Sequence, residues 1–109
     1  MNISPGSEEE RLVEEAGRVY RALADPMRLR ILRMLADDGE LGCAAIAERL
    51  GFSRPTLSHH TRILAEASLI DVRREGRYRY YRLRRSTLER YAPALLEPGE
   101  ADAGGDGDA

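Results

Sequence analysis

The chain has 109 residues, of which 42% are hydrophobic and 33% charged, with a formal net charge of −2. This composition suits one small soluble domain with a single core. No apolar run reaches the roughly 18 residues of a membrane span. The N-terminus lacks the basic and apolar regions of a signal peptide, so we expect a cytoplasmic protein. The single cysteine excludes an internal disulfide and a two-thiolate metal site within one chain.

The small net charge hides a segregation of charges along the chain. All 17 basic residues are arginines. Ten of them lie in residues 53–91, which hold only four acids, whereas the segments 1–15 and 97–109 hold five acids each. A basic central region between acidic ends indicates a nucleic-acid partner.

The first predicted element is a helix that begins at Ser7, with acidic residues near its N-terminus. An apolar stripe at helical spacing follows, formed by Leu12, Val13, Ala16, Val19, Tyr20 and Leu23. The stripe packs either on its own domain or on a second copy of the chain, and both interpretations stay open. Asp25 and Pro26 predict the cap and first turn of a second helix. The dense apolar residues of that helix, which ends at Asp38-Gly39, predict a central core helix.

Residues 41–70 predict two helices joined by a tight turn. Gly51 suits the C-terminus of the first helix, Ser53 caps the second, and Pro55 lies in its first turn. The polar face of the second helix carries Arg54, Thr56, Ser58, His59 and Arg62. This pattern is typical of a helix-turn-helix, whose second helix enters the major groove of DNA. An ordinary helical hairpin with solvated polar faces is the alternative.

A β-hairpin is predicted next, from strands at 69–74 and 77–84 with a turn at Glu75-Gly76. The return strand alternates arginine with tyrosine. One face is expected to hold Tyr78 and Tyr80, and the other Arg77, Arg79 and Tyr81. Three arginines are expected to cluster at the tip: Arg73, Arg74 and Arg77. Such a tip suits contact with phosphates or a minor groove, although a charged edge that only protects the hairpin is the alternative.

A last helix is predicted, with its cap at Ser86-Thr87 and its end at Pro98-Gly99. Its apolar side is formed by Leu88, Tyr91, Leu95 and Leu96. Residues 1–7 and the acidic segment 98–109 are predicted to be disordered. The remaining residues, 8–97, then form one mainly α-helical domain with a small β-hairpin.

This order of elements is that of a winged helix-turn-helix, and three motifs resemble the ArsR/SmtB family of bacterial metal- and stress-responsive regulators. The segment ALADPMRLRILRML (Ala22 to Leu35) resembles that family's second helix. The segment ELGCAAIAERLGFSRPTLSHHTRIL resembles its helix-turn-helix, and REGRYRYYRL (Arg74 to Leu83) resembles its wing. The resemblance covers roughly Ala22 to Leu83.

The resemblance implies a homodimeric repressor that binds a palindromic operator and is released by an effector. It implies a dimer interface made from the first and last helices, with Leu12, Ala16, Val19, Tyr20, Leu23, Leu88, Tyr91 and Leu95. We assign DNA contacts to Ser53, Arg54, Thr56, Ser58, His59, Arg62, Arg73, Arg74 and Arg77. His60 matches a family position that is largely structural. No nucleophile–base pair or metal constellation is evident, so we expect no enzyme activity.

The chain departs from the family at its sensing sites. Thiol-sensing members carry a Cys-x-Cys pair at the start of the third helix, where this chain has Gly42, Cys43 and Ala44. Members that bind zinc or nickel on the last helix carry His there, and STLERYAPALLE has none. We therefore expect no cofactor at either site. Two smaller departures are Thr61 in place of the usual Leu and Ser68 in place of the usual Gly.

Three alternatives for sensing and function stay open. A partner protein supplies the sensing, or a metal such as nickel or zinc binds at a non-standard site of His with Asp or Glu, shared between subunits. In the third, the chain is a protein- or RNA-interaction module. Cys43 is interpreted first as a small core residue, with a sensing role as the alternative.

Overall fold

The computed structural model describes residues 6–98. Its elements are α1 (Glu8–Leu23), α2 (Pro26–Asp38), β1 (Leu41–Gly42), α3 (Cys43–Leu50), α4 (Arg54–Glu66), β2 (Ile70–Glu75), β3 (Tyr78–Leu83), α5 (Arg85–Tyr91) and a short 3-10 helix (Pro93–Leu96). They form the winged helix-turn-helix expected from the sequence. No helix within 6–98 is long and apolar enough to cross a membrane. The segments predicted to be disordered, 1–7 and 98–109, lie outside the described residues except for Gly6, Ser7 and Pro98.

Two helices start at the predicted caps, Asp25 and Ser53, and Ser7, where the first helix was predicted to begin, is its N-cap. The capping oxygens and their backbone N–H donors are Ser7 with Glu10 (3.1 Å), Asp25 with Arg28 (3.0 Å) and Ser53 with Thr56 (3.3 Å). Each bond satisfies a first-turn N–H group that has no partner inside its own helix. The turn of the helix-turn-helix begins at Gly51, whose φ of 72° lies in the left-handed region.

The Asp25–Arg28 segment caps two helices at once. While Asp25 caps the N-terminus of α2, the guanidinium of Arg28 donates to the carbonyl of Ala22 at 2.8 Å and to that of Arg21 at 3.2 Å. These carbonyls belong to the last turn of α1, where the N–H donors four residues further on are lost because the helix ends. The carbonyl of Arg21 also accepts from the N–H of the cap residue Ala24 at 3.2 Å. The motif that resembles the family's second helix therefore fixes the joint between α1 and α2.

A single core lies between the helices and the inner face of the sheet. It is formed by Val19, Ala22, Ile31, Leu32, Leu35, Ile46, Ala47, Leu57, Leu64, Ala67, Leu69, Ile70, Tyr81, Leu83 and Leu88. The second helix contributes three fully buried aliphatic side chains and contacts α1, α4, β3 and the 3-10 helix. It is thus the central core helix that its apolar sequence predicts.

The wing has three strands, so the prediction of a two-stranded hairpin was incomplete. The strand order is β1-β3-β2, and all pairs are antiparallel. Strand β1 is only two residues long and pairs Leu41 with Tyr81 and Gly42 with Tyr80. Two residues are too few to show the alternation by which a strand is recognised. The pairing joins the start of α3 directly to the wing.

The last helix is shorter than predicted and begins differently. Helix α5 ends at Tyr91, and a 3-10 helix continues from Pro93, because proline cannot donate the helical N–H and its ring clashes with the preceding turn. The helix begins at Arg85, one residue before the predicted cap at Ser86-Thr87. Its N-cap is Arg84, whose backbone N–H donates to the carbonyl of Leu69 at 2.9 Å, so β3 runs straight into α5.

The two smaller departures from the family pattern both have structural accommodations. Thr61 is buried, and its hydroxyl lies 3.4 Å from that of Tyr81 and 3.3 Å from the carbonyl of Ser58. This polar contact joins α4 to β3 where an aliphatic residue would only pack. Ser68 has a φ of 61°, the left-handed conformation that glycine adopts without strain.

The apolar stripe of α1 divides between the core and the surface. Val19 is fully buried inside the chain, whereas Leu12 is 53% and Tyr20 54% exposed. Leu88 of α5 is likewise fully buried. The assignment of Val19 and Leu88 to a dimer interface is therefore wrong for direct contact, because both face the core of their own chain. The other six residues assigned to that interface are exposed or half-buried.

His60 ties α4 to the α1–α2 joint. Its Nδ1 lies 3.8 Å from an Asp25 carboxylate oxygen and 3.4 Å from the guanidinium of Arg28. The ring stacks on Phe52 with centroids 5.4 Å apart. Burial lowers the pKa of His60 below its usual 6.5, and the Asp25 carboxylate opposes this effect only in part. His60 is therefore a packed residue in this fold.

We expect His60 to make stability depend on pH below neutrality. The unfolded chain keeps the ordinary pKa, so it binds the proton more readily than the folded chain. The stability that comes from neutral His60 is present above pH 6.5 and is lost as the pH falls from there through the lower folded pKa. In thermal melts, wild type should lose more Tm over this range than His60→Gln. The control is His59→Gln, which leaves the Asp25 and Arg28 contacts of His60 in place and should keep most of the wild-type loss. Identical pH profiles of Tm for wild type and His60→Gln would contradict a contribution of His60 to the pH dependence of stability.

Candidate nucleic-acid interface

One stripe of α4 faces the wing. Arg54, Ser58 and Arg62 follow each other at intervals of four residues, so they share a face of the helix. Arg54 and Ser58 line a cleft of about 320 Å³ whose other wall is the end of the wing. Arg62 and Ser58 line a second cleft, of about 360 Å³, against the inner face of the sheet. The helix predicted to enter DNA thus runs alongside the wing.

The two clefts adjoin, because Ser58 and Arg79 line both. The first is lined by Gly42, Cys43, Ala44, Arg54, Ser58, Arg77, Tyr78, Arg79 and Tyr80. The second is lined by Ser58, Thr61, Arg62, Ala65, Val72, Arg74, Arg79 and Tyr81. Neither set contains an acidic residue. We call the combined depression the arginine trough, after Arg54, Arg62, Arg74, Arg77 and Arg79.

Within residues 6–98, no acidic side chain pairs with the arginines of the trough. Among the side chains of residues 6–98, none forms an ion pair or a hydrogen bond with these five guanidinium groups. Arg74 and Arg79 are direct cross-strand partners on the inner face of the wing. Like charges in that position destabilise a sheet. An anion in the trough would relieve this repulsion, and a nucleic-acid backbone supplies such anions at regular spacing.

A different face of α4 presents the residues suited to base edges. Thr56 and His59 are three residues apart and exposed, and they lie away from the stripe that faces the wing. Ser53 is engaged in capping, since its oxygen accepts from the Thr56 N–H and its hydroxyl lies 3.0 Å from that of Thr56. The helix therefore places Arg54 and Arg62 on one face and Thr56 and His59 on another.

The three wing arginines do not form the cluster expected at the tip. Arg73 and Arg74 are consecutive in β2, so their side chains lie on opposite faces of the sheet. Arg74 faces α4 and the arginine trough. Arg73 lies on the outer face, where its guanidinium is held by Glu40 and Glu75. Arg77 is in the two-residue turn between the strands, next to Gly76.

Arg79 was absent from the residues assigned to DNA contact, although it lines both parts of the trough. The signal was in the sequence, because the Arg-Tyr alternation of β3 placed Arg79 on one face with Tyr81. Tyr81 is buried, which fixes that face toward α4. The register that pairs Arg79 with Arg74 could not be read from the strand by itself.

Cys43 begins α3 and is half-buried. It packs against the core and lines the first cleft. The two cysteines of the family's Cys-x-Cys pair align with Gly42 and Ala44. Neither residue has a sulfur atom, so a two-thiolate site does not fit here. In the part of the chain that the structure describes, no group of three or more His, Cys, Asp or Glu side chains is arranged to hold a metal ion.

Comparison with known proteins agrees with this architecture. Residues 23–73 match a helix-turn-helix domain family. The chain is 38% identical to the transcriptional repressor SdpR of Bacillus subtilis over 71 residues, covering 65% of this chain and 78% of that protein. It is 37% identical to the arsenical resistance operon repressor of Staphylococcus xylosus over 76 residues, covering 70% and 72% respectively.

A solved structure from Mycobacterium bovis gives the same fold. It is the homodimeric winged helix-turn-helix DNA-binding domain of a possible ArsR-family transcriptional regulator. The two chains superpose with a TM-score of 0.73 at 32% identity, with 88% of each chain covered. The motifs, the fold and these relatives together show that the chain belongs to the ArsR/SmtB family of winged helix-turn-helix transcriptional regulators.

Proposed function

We propose that this protein is a cytoplasmic repressor that binds a palindromic DNA operator as a homodimer. Thr56 and His59 of α4 reach base edges in the major groove, and the arginine trough lies over the phosphate backbone beside it. The observation that carries the proposal is the trough itself. Five arginines line a depression that contains no acid among residues 6–98, on the helix and wing that a winged helix-turn-helix presents to DNA.

Arg54→Ala and Arg77→Ala should each weaken DNA binding without unfolding the protein. Both residues are exposed and make no side-chain ion pair within 6–98, so their loss leaves the core intact. As phosphate contacts they act on operator and unrelated duplex alike, and each should reduce the slope of log affinity against log salt by about 0.9. Fluorescence anisotropy over a salt series measures both quantities. The operator can be obtained by sequencing the genomic DNA that the purified protein retains.

The matched control is Arg18→Ala, which removes an exposed arginine from α1, away from the trough. It should leave the affinity and the salt slope at the wild-type values. If Arg54→Ala and Arg77→Ala both bound like Arg18→Ala, the trough would not be the DNA-binding surface.

The dimer surface proposed here is the outer side of α1 and α5. Leu12 and Val13 are more than half exposed on α1, and Tyr20 contacts Tyr91 edge-to-face with ring centroids 5.6 Å apart. A second copy would cover the exposed apolar residues. Two copies of α4 would then enter successive major grooves about 34 Å apart.

Leu12→Glu should dissociate the dimer. It places a charge in an apolar interface, where burial without a partner is unfavourable. Sedimentation should give the mass of one chain at concentrations where wild type is dimeric, and operator affinity should fall at least about tenfold because the two half-sites no longer bind together. Arg18→Glu is the control, since it introduces the same residue on another face of α1. A dimeric Leu12→Glu variant would contradict this interface.

We further propose that this regulator senses its signal through a partner protein. Support comes from the donor residues, because neither the Cys43 region nor α5 carries the ligand set of metal-sensing members. The test is calorimetric titration of the DNA-bound protein with zinc, nickel and arsenite, and of the purified protein with a zinc chelator. No heat of binding and no release of DNA are expected. Stoichiometric binding coupled to DNA release would instead establish a metal site, with His and carboxylate ligands from two subunits as the first candidates.

A further inference from the structure

A network on the outer face of the wing connects all three strands. The guanidinium of Arg73 in β2 lies over the ring of Tyr80 in β3, 4.4 Å from its centroid. On the far side of that ring, the Arg73 guanidinium binds the carboxylate of Glu40, the residue immediately before β1. The Tyr80 ring also lies against Gly42 of β1, where a Cβ atom would be 3.4 Å from it, an ordinary van der Waals contact.

All three nitrogens of the Arg73 guanidinium donate to carboxylates. Nε and one terminal nitrogen bind the two oxygens of Glu40 at 3.0 and 3.1 Å, a bidentate arrangement. The other terminal nitrogen binds Glu75 at 2.9 Å. The Arg73 hydrogen bond holds the pKa of Glu40 below its usual value, and the Glu40 bond raises that of Arg73. The pair is therefore fully ionised at neutral pH.

Arg73 differs in this respect from the arginines of the trough. The trough arginines have no carboxylate partner within 6–98, whereas Arg73 is neutralised and lies on the face of the sheet opposite to Arg74 and Arg79. A phosphate approaching Arg73 would have to displace two carboxylates. Steric position and charge both argue against a direct DNA contact by this residue.

We propose that Glu40 and Arg73 are positioning residues that brace the wing against the body of the domain, and that Arg73 makes no phosphate contact. The proposal rests on the proposed DNA-binding function. Glu40 follows the last turn of α2, so the brace ties the distal part of β2 to the core helix through the face of β3. It sets the angle at which Arg74, Arg77 and Arg79 meet the backbone beside α4.

The test combines a double-mutant cycle with a salt series. Glu40→Gln and Arg73→Gln each remove one charge of the pair while keeping a polar side chain. Each should weaken operator binding about two- to fivefold, the range expected for an exposed ion pair. The double variant should be no weaker than either single one, because the two residues act through the same contact. The salt slope should stay at the wild-type value in all three, whereas Arg54→Ala lowers it by about 0.9.

Hydrogen exchange of the free protein supplies a readout that does not involve DNA. Glu40→Gln and Arg73→Gln should both speed exchange of the β2 and β3 amides near the tip, and Arg77→Ala should not. A salt slope lowered by about 0.9 in Arg73→Gln, with unchanged binding and exchange in Glu40→Gln, would overturn the brace. If wild type bound no DNA at all, the proposed function would fail, and the exchange experiment would still decide whether the brace exists.

Discussion

The placement of β3 between β1 and β2 is the constraint on which the rest of the surface depends. Tyr81 of this strand points inward and is buried. Its hydroxyl contacts the Thr61 hydroxyl, and this contact fixes the distance between the wing and α4. Arg79 lies two residues earlier on the same face, so it is held in the arginine trough beside α4. On the outer face, Tyr80 supports the guanidinium of Arg73. One strand therefore carries the core contact, the trough and the brace.

Charge is arranged on this fold by face as well as by position along the chain. Within residues 6–98, the inner face of the wing and the facing stripe of α4 collect arginines without acids, whereas Arg73 and Arg84 on the outer side pair with acids. Arg73 binds Glu40 and Glu75 there, and Arg84 binds Asp71 at the base of the wing. The same residue type thus serves two purposes: unpaired arginines attract a polyanion, and paired arginines stiffen the element that carries them. A net charge near zero conceals this division.

Much of the fold could be predicted because its signals are local. Asp25 and Ser53 cap their helices as predicted, the first helix begins next to Ser7, and Gly51 adopts the left-handed conformation that glycine permits. The errors also have local causes. Strand β1 is too short to have a pattern of its own, and Pro93 ends a helix whose apolar spacing continues past it. Ser68 takes a conformation that its residue type disfavours because the surrounding chain imposes it.

The sequence by itself determined the order of the helices and of the two long strands, the helix that faces DNA in this family, and a basic region that includes the wing. Tertiary structure decided which arginines act together. Arg73 and Arg74 are adjacent in β2 and therefore lie on opposite faces of the sheet, and only the pairing with β3 shows that the face of Arg74 meets α4. It also decided that Val19 and Leu88 belong to the core of one chain, since helical periodicity gives the width of an apolar stripe but not which part of it is covered. The partnership of Glu40 with Arg73, 33 residues apart, exists only once three strands lie side by side.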